Sequence, residues 1–219
     1  MPARLALGPL GLPGLTAWAG LGLAGLRAGE RLVVSAAAGT VGAVAAQLGL
    51  ARGARVLGIT AGAKLDYVLG ELGLPAAVAR DAPDFRARLA AALPEGLDVY
   101  FDNVGGELLD AALDHLRPGA RVVLCGMIAQ YDAAERPPGP NLGRVIAARA
   151  RLLGLVVYDH LGRLPEFLAE ALPLWRAGRL RCAERIFAGL ERAPEAFAEL
   201  LSGRSHGRLL VRVGEEGAE

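Results

Sequence analysis

Six short apolar runs, spaced so that a helical segment fits between each pair, constrain this chain more than any other feature. The runs are "RLVVSA", "ARVLGIT", "AAVA", "LDVYFDN", "ARVVLCG" and "LLGLVVYD". Between them lie "TVGAVAAQLGLARG", "AKLDYVLGELG", "PDFRARLAAAL", "GELLDAALDHL" and a helix near residues 141–150. The runs lack strict apolar–polar alternation, as expected of parallel strands covered on both faces. Glycines at positions 53 and 73 sit where helix C-caps belong. The pattern predicts an α/β fold, a doubly wound parallel sheet of about six strands. A longer helix, "PEFLAEALPLWRAG", follows the sixth strand, and the tail reads as a C-terminal helix–strand extension.

The first strand runs into "VVSAAAGTVG", with the spacing Ala37-x-Gly39-x-x-Gly42. This is one glycine short of the G-x-G-x-x-G pattern for binding a dinucleotide pyrophosphate. Its placement is right for such a cradle: it leaves a strand and opens a helix, whose unpaired first-turn N–H groups and dipole favour an anion. Gly39 lets the backbone approach phosphates, Thr40 and Val41 open the helix, and Gly42 lets helix and strand pack closely. Ala37 requires an ordinary negative φ. A packing turn that binds nothing would use the same residues, so two readings stay open.

The next discriminating position lies at the end of the second strand, where NAD-binding folds place an acid on the ribose 2′-hydroxyl. Here stand Ile59 and Thr60, followed by Lys64, with Arg80 closing the third strand. Cations in place of an acid suit a 2′-phosphate, and therefore NADP(H) over NAD(H). The alternative is that Lys64 caps a solvated helix start.

Composition excludes several classes. The 219 residues carry a net charge of +1 without a basic block, so nothing marks a nucleic-acid partner. Cys125 and Cys182 cannot build a disulfide framework or a four-thiolate zinc site, which suggests a reducing cytoplasm. The stretch Leu5–Leu26 is uncharged but contains Pro9, Pro13 and frequent glycines. It reads as a buried turn and helix, not a membrane span. His115, His160 and His206 lack metal-ligand spacing, and Asp66 and Asp102 read as a helix-face charge and a strand-end acid. No metal site and no nucleophile motif is expected.

"GLPGLTAW", "VVSAAAGTVG", "VYFDNVGGELLDAAL", "VVLCGMIAQYD" and "APEAFAELLSGRSHGRLLVRV" occur in this order. Together they resemble the zinc-independent medium-chain dehydrogenase/reductase superfamily, in its NADP-dependent alkenal and prostaglandin reductase (leukotriene B4 12-hydroxydehydrogenase-like) branch. The resemblance implies a Rossmann-type NADP-binding domain over residues 13–184. It implies that residues 1–12 are linker and that 185–219 are a C-terminal segment returning to an N-terminal β-rich catalytic domain, which has no counterpart in this sequence. Lys64 then matches the 2′-phosphate lysine. Asn103, Cys125 and Gly126 match strand ends beside the cofactor, Thr16 the helix start facing its cleft, and Tyr131 the tyrosine that hydrogen-bonds the substrate carbonyl.

Two departures stand out: Arg80 replaces a common tyrosine, and Ser205 a common asparagine near the cofactor. The implied activity is hydride transfer from NADPH to the C=C bond of an enal or enone, in a cytoplasmic homodimer. Alternatives are a quinone or carbonyl reductase of the same superfamily, or an NADPH-binding module without catalysis.

Overall fold

The computed structural model describes residues 3–131 and 139–214. Strands β1 (Arg31–Ser35), β2 (Arg55–Thr60), β3 (Ala76–Ala79), β4 (Leu97–Asp102), β5 (Leu116–Leu124) and β6 (Arg151–Gly154) form one sheet in the order β3-β2-β1-β4-β5-β6. Every neighbouring pair is parallel. The direction of winding reverses between β1 and β4, which opens a crevice at their carboxyl ends.

Two helices, α1 (Ala3–Leu7) and α2 (Leu12–Leu23), precede the sheet. Next come α3 (Thr40–Ala51), α4 (Phe85–Ala92), α5 (Gly106–Leu113), α6 (Gly143–Ala148) and α7 (Leu164–Arg176). Side chains alternate along each strand, so one strand feeds two cores. Leu32 and Val34 of β1, with Val99 and Phe101 of β4, bury against Leu15 and Leu21 of α2, Val44 and Leu48 of α3, and Phe167 of α7. On the opposite face Val33, Leu57, Tyr100 and Val122 bury against Phe85 and Leu89 of α4 and Leu108 and Ala112 of α5. Each such apolar side chain contributes about 1.5–3 kcal/mol on burial. This two-sided burial explains why the strand sequences do not alternate.

A second sheet pairs β7 (Glu184–Ala188) with β8 (Arg208–Arg212) in parallel, Glu184 opposite Arg208, and α8 (Ala193–Leu201) connects them. A parallel bridge between Gly39 and Gly207 joins this unit to the turn after β1.

Three local differences from the sequence reading have physical causes. The expected helix over "AKLDYVLGELG" is a 3₁₀ turn at Gly62–Lys64 followed by a π-helical stretch at Tyr67–Glu71. The wider turn places the consecutive residues Tyr67 and Val68 in the core together. The sixth strand stops at Gly154, because its partner β5 ends at Leu124, directly opposite. Residues 157–163 then turn in a 3₁₀ helix. No strand was read at Glu184–Ala188, because Phe187 is its only buried side chain. Its ring lies under the guanidinium groups of Arg185 and Arg192, at 5.1 and 4.9 Å.

Candidate functional site

The crevice is built first by the turn between β1 and α3. Ala36 adopts φ +49°, a left-handed conformation rare for a residue with a side chain. The Gly39 N–H closes the turn on the Ala36 carbonyl (2.9 Å), and the Ala37 N–H donates to Ile59 O of β2 (3.0 Å). The left-handed residue is thus Ala36, and Ala37 escapes positive φ as its sequence position required. Gly39 is extended, and α3 starts at Thr40. A Cβ on Gly42 would lie 2.3 Å from Ala36 O, so helix and turn can approach this closely only at glycine. The first-turn N–H groups of α3 have no acceptor within the helix, whose dipole is positive at this end, and Gly207 O sits at Thr40, accepting its hydroxyl (2.9 Å).

The ends of β2 and β3 bring up two cations. Thr60 is buried, and its carbonyl accepts the Arg80 N–H (2.7 Å). Lys64 Nζ donates to Gly203 O (2.6 Å) and Ser205 O (2.5 Å). Burial, and then the nearby Arg80 charge, hold the Lys64 ammonium below the usual lysine range. Among the described residues neither Lys64 nor Arg80 pairs with a carboxylate. Two neighbouring cations without a carboxylate partner among the described residues have the chemistry to hold an anion. Arg80 also borders an open recess lined by Asp81, Phe85, Arg86 and Glu107.

At the reversal of winding, a closed network fixes the ends of β1, β4 and β5. Asn103 Nδ2 donates to Ser35 O (2.7 Å), and the Asn103 N–H to Ser35 Oγ (2.8 Å). Ser35 Oγ donates to the buried Asp102 carboxylate (3.0 Å), which also accepts the Val104 and Gly105 N–H groups (3.1 Å each). Burial pushes the Asp102 carboxyl up from its usual value, and the Gly105 and Val104 hydrogen bonds oppose this. The Tyr100 phenol is fully buried beside Ser35 and Asp102. Burial, then the nearby Asp102 charge, push it well above the usual tyrosine range.

Cys125 and Gly126 donate their N–H groups to Asp102 O (2.8 and 3.1 Å). A Cβ on Gly126 would stand 2.9 Å from Asn103 O, so the two strand ends touch through backbone. Burial pushes the Cys125 thiol up to about 11, which makes it an apolar wall and not a nucleophile at neutral pH.

The structure therefore brings together the expected Ala37, Gly39, Thr40, Val41 and Gly42. It likewise places Thr60, Lys64 and Arg80 at one edge, and Asn103, Cys125 and Gly126 at the centre. Two expected residues stand outside these networks. Thr16 Oγ1 donates back to Leu12 O (2.7 Å) within α2. Tyr131 is 70% exposed and follows the short turn Ile128–Gln130.

Ser35, the clasp role of Asp102 and the carbonyls of Gly203 and Ser205 were missed. No local signal marks them, since Lys64 and Ser205 are 141 positions apart. No group of three or more His, Cys, Asp or Glu side chains among the described residues could hold a metal ion. Nor is any helix among them long and apolar enough to cross a membrane.

Sheet order, phosphate-type turn and switch-point crevice together define a dinucleotide-binding α/β domain. The chain belongs to the family described as zinc-binding dehydrogenase, which matches residues 40–174. It is 40% identical over 215 residues to the NADPH-dependent curcumin reductase of Escherichia coli, covering 94% of this chain and 62% of that protein. It is 36% identical over 220 residues to the NADP(+)-dependent 2-alkenal reductase of Nicotiana tabacum (99% and 64%). Against mouse prostaglandin reductase 1 the identity is 37% over 219 residues (97% and 66%). Among solved structures, CurA of Vibrio vulnificus in complex with NADPH superposes with a TM-score of 0.91 at 37% identity, covering 96% of this chain and 65% of that one. The chain thus spans just under two thirds of the length of several of these relatives.

Proposed function

We propose that this chain is the cofactor-binding portion of an NADPH-dependent medium-chain reductase that acts on the C=C bond of α,β-unsaturated aldehydes and ketones. The observation that carries the cofactor is the Lys64–Arg80 pair, two cations with no carboxylate partner among the described residues where an NAD-specific site would need an acid. The residues fit the group: α3 opens after Gly39 with its positive end toward the strand ends, and Gly42 lets helix and turn pack closely enough to present it. NADPH, when bound, supplies a hydride, and the protein supplies position and electrostatics.

Each part then has a task. The first turn of α3 holds the pyrophosphate, while Lys64 and Arg80 hold the 2′-phosphate. The clasp Ser35–Asp102–Asn103 keeps the central strand ends in register, and Cys125 and Gly126 form the wall beside the nicotinamide. Tyr131 donates a hydrogen bond to the substrate carbonyl, where negative charge develops as the β-carbon is reduced; a preorganised donor of this kind is worth about 3 kcal/mol. The relatives named for curcumin, alkenal and prostaglandin reduction support this substrate class.

The homodimer proposed for the chain finds support in the outer edge, β6. Leu152 of β6 is 39% exposed, and Val156 and Tyr158, just beyond the strand, are 55% and 69% exposed. An edge unpaired among the described residues, with apolar neighbours, favours strand pairing between copies. Two free thiols suit a reducing compartment, the cytoplasm.

The test is consumption of NADPH with an enal, an enone and a quinone offered separately. The proposal expects the enal and enone to be reduced faster than the quinone. Preference for the quinone would move the chain to the quinone-reductase reading. NADPH that binds but is oxidised by none of the three would leave a binding module without catalysis.

A further inference from the structure

The segment Gly203–Gly207 runs from Lys64 to the phosphate-type turn and is hydrogen-bonded at both ends. At one end the Gly207 N–H donates to Ala38 O (2.8 Å), and Gly207 O accepts Thr40 Oγ1 (2.9 Å). At the other, Gly203 O and Ser205 O both accept from Lys64 Nζ. Midway, the His206 ring rests on Tyr67, with centroids 4.3 Å apart. Tyr67 is itself fixed, since its hydroxyl oxygen accepts the Ala183 N–H (2.9 Å). The segment is thus a strap joining the C-terminal sheet to both halves of the anion-binding edge.

An ammonium has three protons to donate. Two on Lys64 are committed to strap carbonyls, which constrains the direction of the third, and Arg80 is the charged group among the described residues that acts on it. We infer that the strap is a specificity device: it positions Lys64 for the 2′-phosphate, and the 2′-phosphate in turn locks the strap, so that NADPH orders residues 203–208 and NADH does not. The inference rests on the reading of the site as an NADP(H) site and adds to it a reciprocal coupling between that phosphate and the C-terminal segment. Reciprocity is required by linkage, because a strap that favours the bound geometry of Lys64 must be favoured by the ligand Lys64 binds. The adenosine 2′-hydroxyl of NADH offers Lys64 a single neutral acceptor in place of a dianionic phosphate, too weak a partner to lock the strap through it.

Hydrogen–deuterium exchange on the full chain tests this, with NADPH and NADH each at saturation. The amides of residues 204–208 should exchange about tenfold more slowly with NADPH than with NADH. In Lys64→Met the two cofactors should give the same rate. Equal protection by both cofactors in the wild-type chain would overturn the inference, as would a difference that persists in Lys64→Met. The wild-type comparison decides even if the variant does not fold. Calorimetry on the same samples separates the two levels. Absence of NADPH binding would remove both the site reading and the strap; NADPH binding tighter than NADH without strap protection would remove the strap coupling alone.

Discussion

Gly42 has no room for a single methyl group, because its Cβ would sit 2.3 Å from the Ala36 carbonyl oxygen. The backbone there cannot yield cheaply, since Ala36 is already held at φ +49°. Gly42→Ala should therefore destabilise the fold by about 1–3 kcal/mol, the usual cost of overpacking. It should also weaken NADPH and NADH binding alike, because the displaced turn serves the pyrophosphate common to both. A thermal melt and a binding isotherm measure the two effects, and an unchanged melt would contradict the packing argument.

At this scale the sequence was informative where the constraint is local. The glycine spacing announced the turn, and the absence of an acid after Ile59 announced the cations. It was silent where a side chain is consumed across strands. Asn103 could be located by its motif, yet its amide is bound to Ser35 O, 68 positions away.

At the scale of elements, Glu170 ties three helices together. Its carboxylate accepts Trp18 Nε1 of α2 (2.7 Å) and Arg52 Nε (2.9 Å), just past the end of α3. Burial pushes the Glu170 carboxyl up, but the hydrogen bond and charge of Arg52 outweigh it and hold it below the ordinary 4.5. A carboxyl depressed on folding contributes stability above its unfolded value, and that stability is lost as pH falls through the folded value. Glu170→Gln should therefore lower the melting temperature at pH 7 and leave the two proteins progressively closer as pH falls below the ordinary carboxyl range. A difference in melting temperature independent of pH would refute this.

The six strands were readable because each is an apolar run bounded by turn residues. The stretch at residues 63–73 was not, because its helical pattern conceals a π-turn selected by the burial of Tyr67 beside Val68. β7 was hidden because arginine side chains, not apolar neighbours, cover Phe187.

For the whole molecule, the order β3-β2-β1-β4-β5-β6 sets two open edges and one central crevice. The β6 edge carries exposed Leu152 beside Val156 and Tyr158. A lysine there should prevent edge pairing. Leu152→Lys should shift a dimer toward monomer in sedimentation while NADPH affinity stays unchanged; a dimer that persists would place the interface elsewhere.

The doubly wound architecture was legible from strand–helix alternation alone, but the contact of the C-terminal segment with the cradle was not. Hydrogen bonds between residues 38–64 and 203–207 are set by the completed fold, not by any spacing.

If the Lys64–Arg80 edge selects a 2′-phosphate, the chain discriminates between the two nicotinamide cofactors. Calorimetric titration of the chain with NADPH and with NADH measures it most directly. NADPH should bind tighter by about tenfold or more (~1.4 kcal/mol), with the preference lost in Lys64→Met. Equal affinity for the two cofactors, or binding of neither, would contradict it.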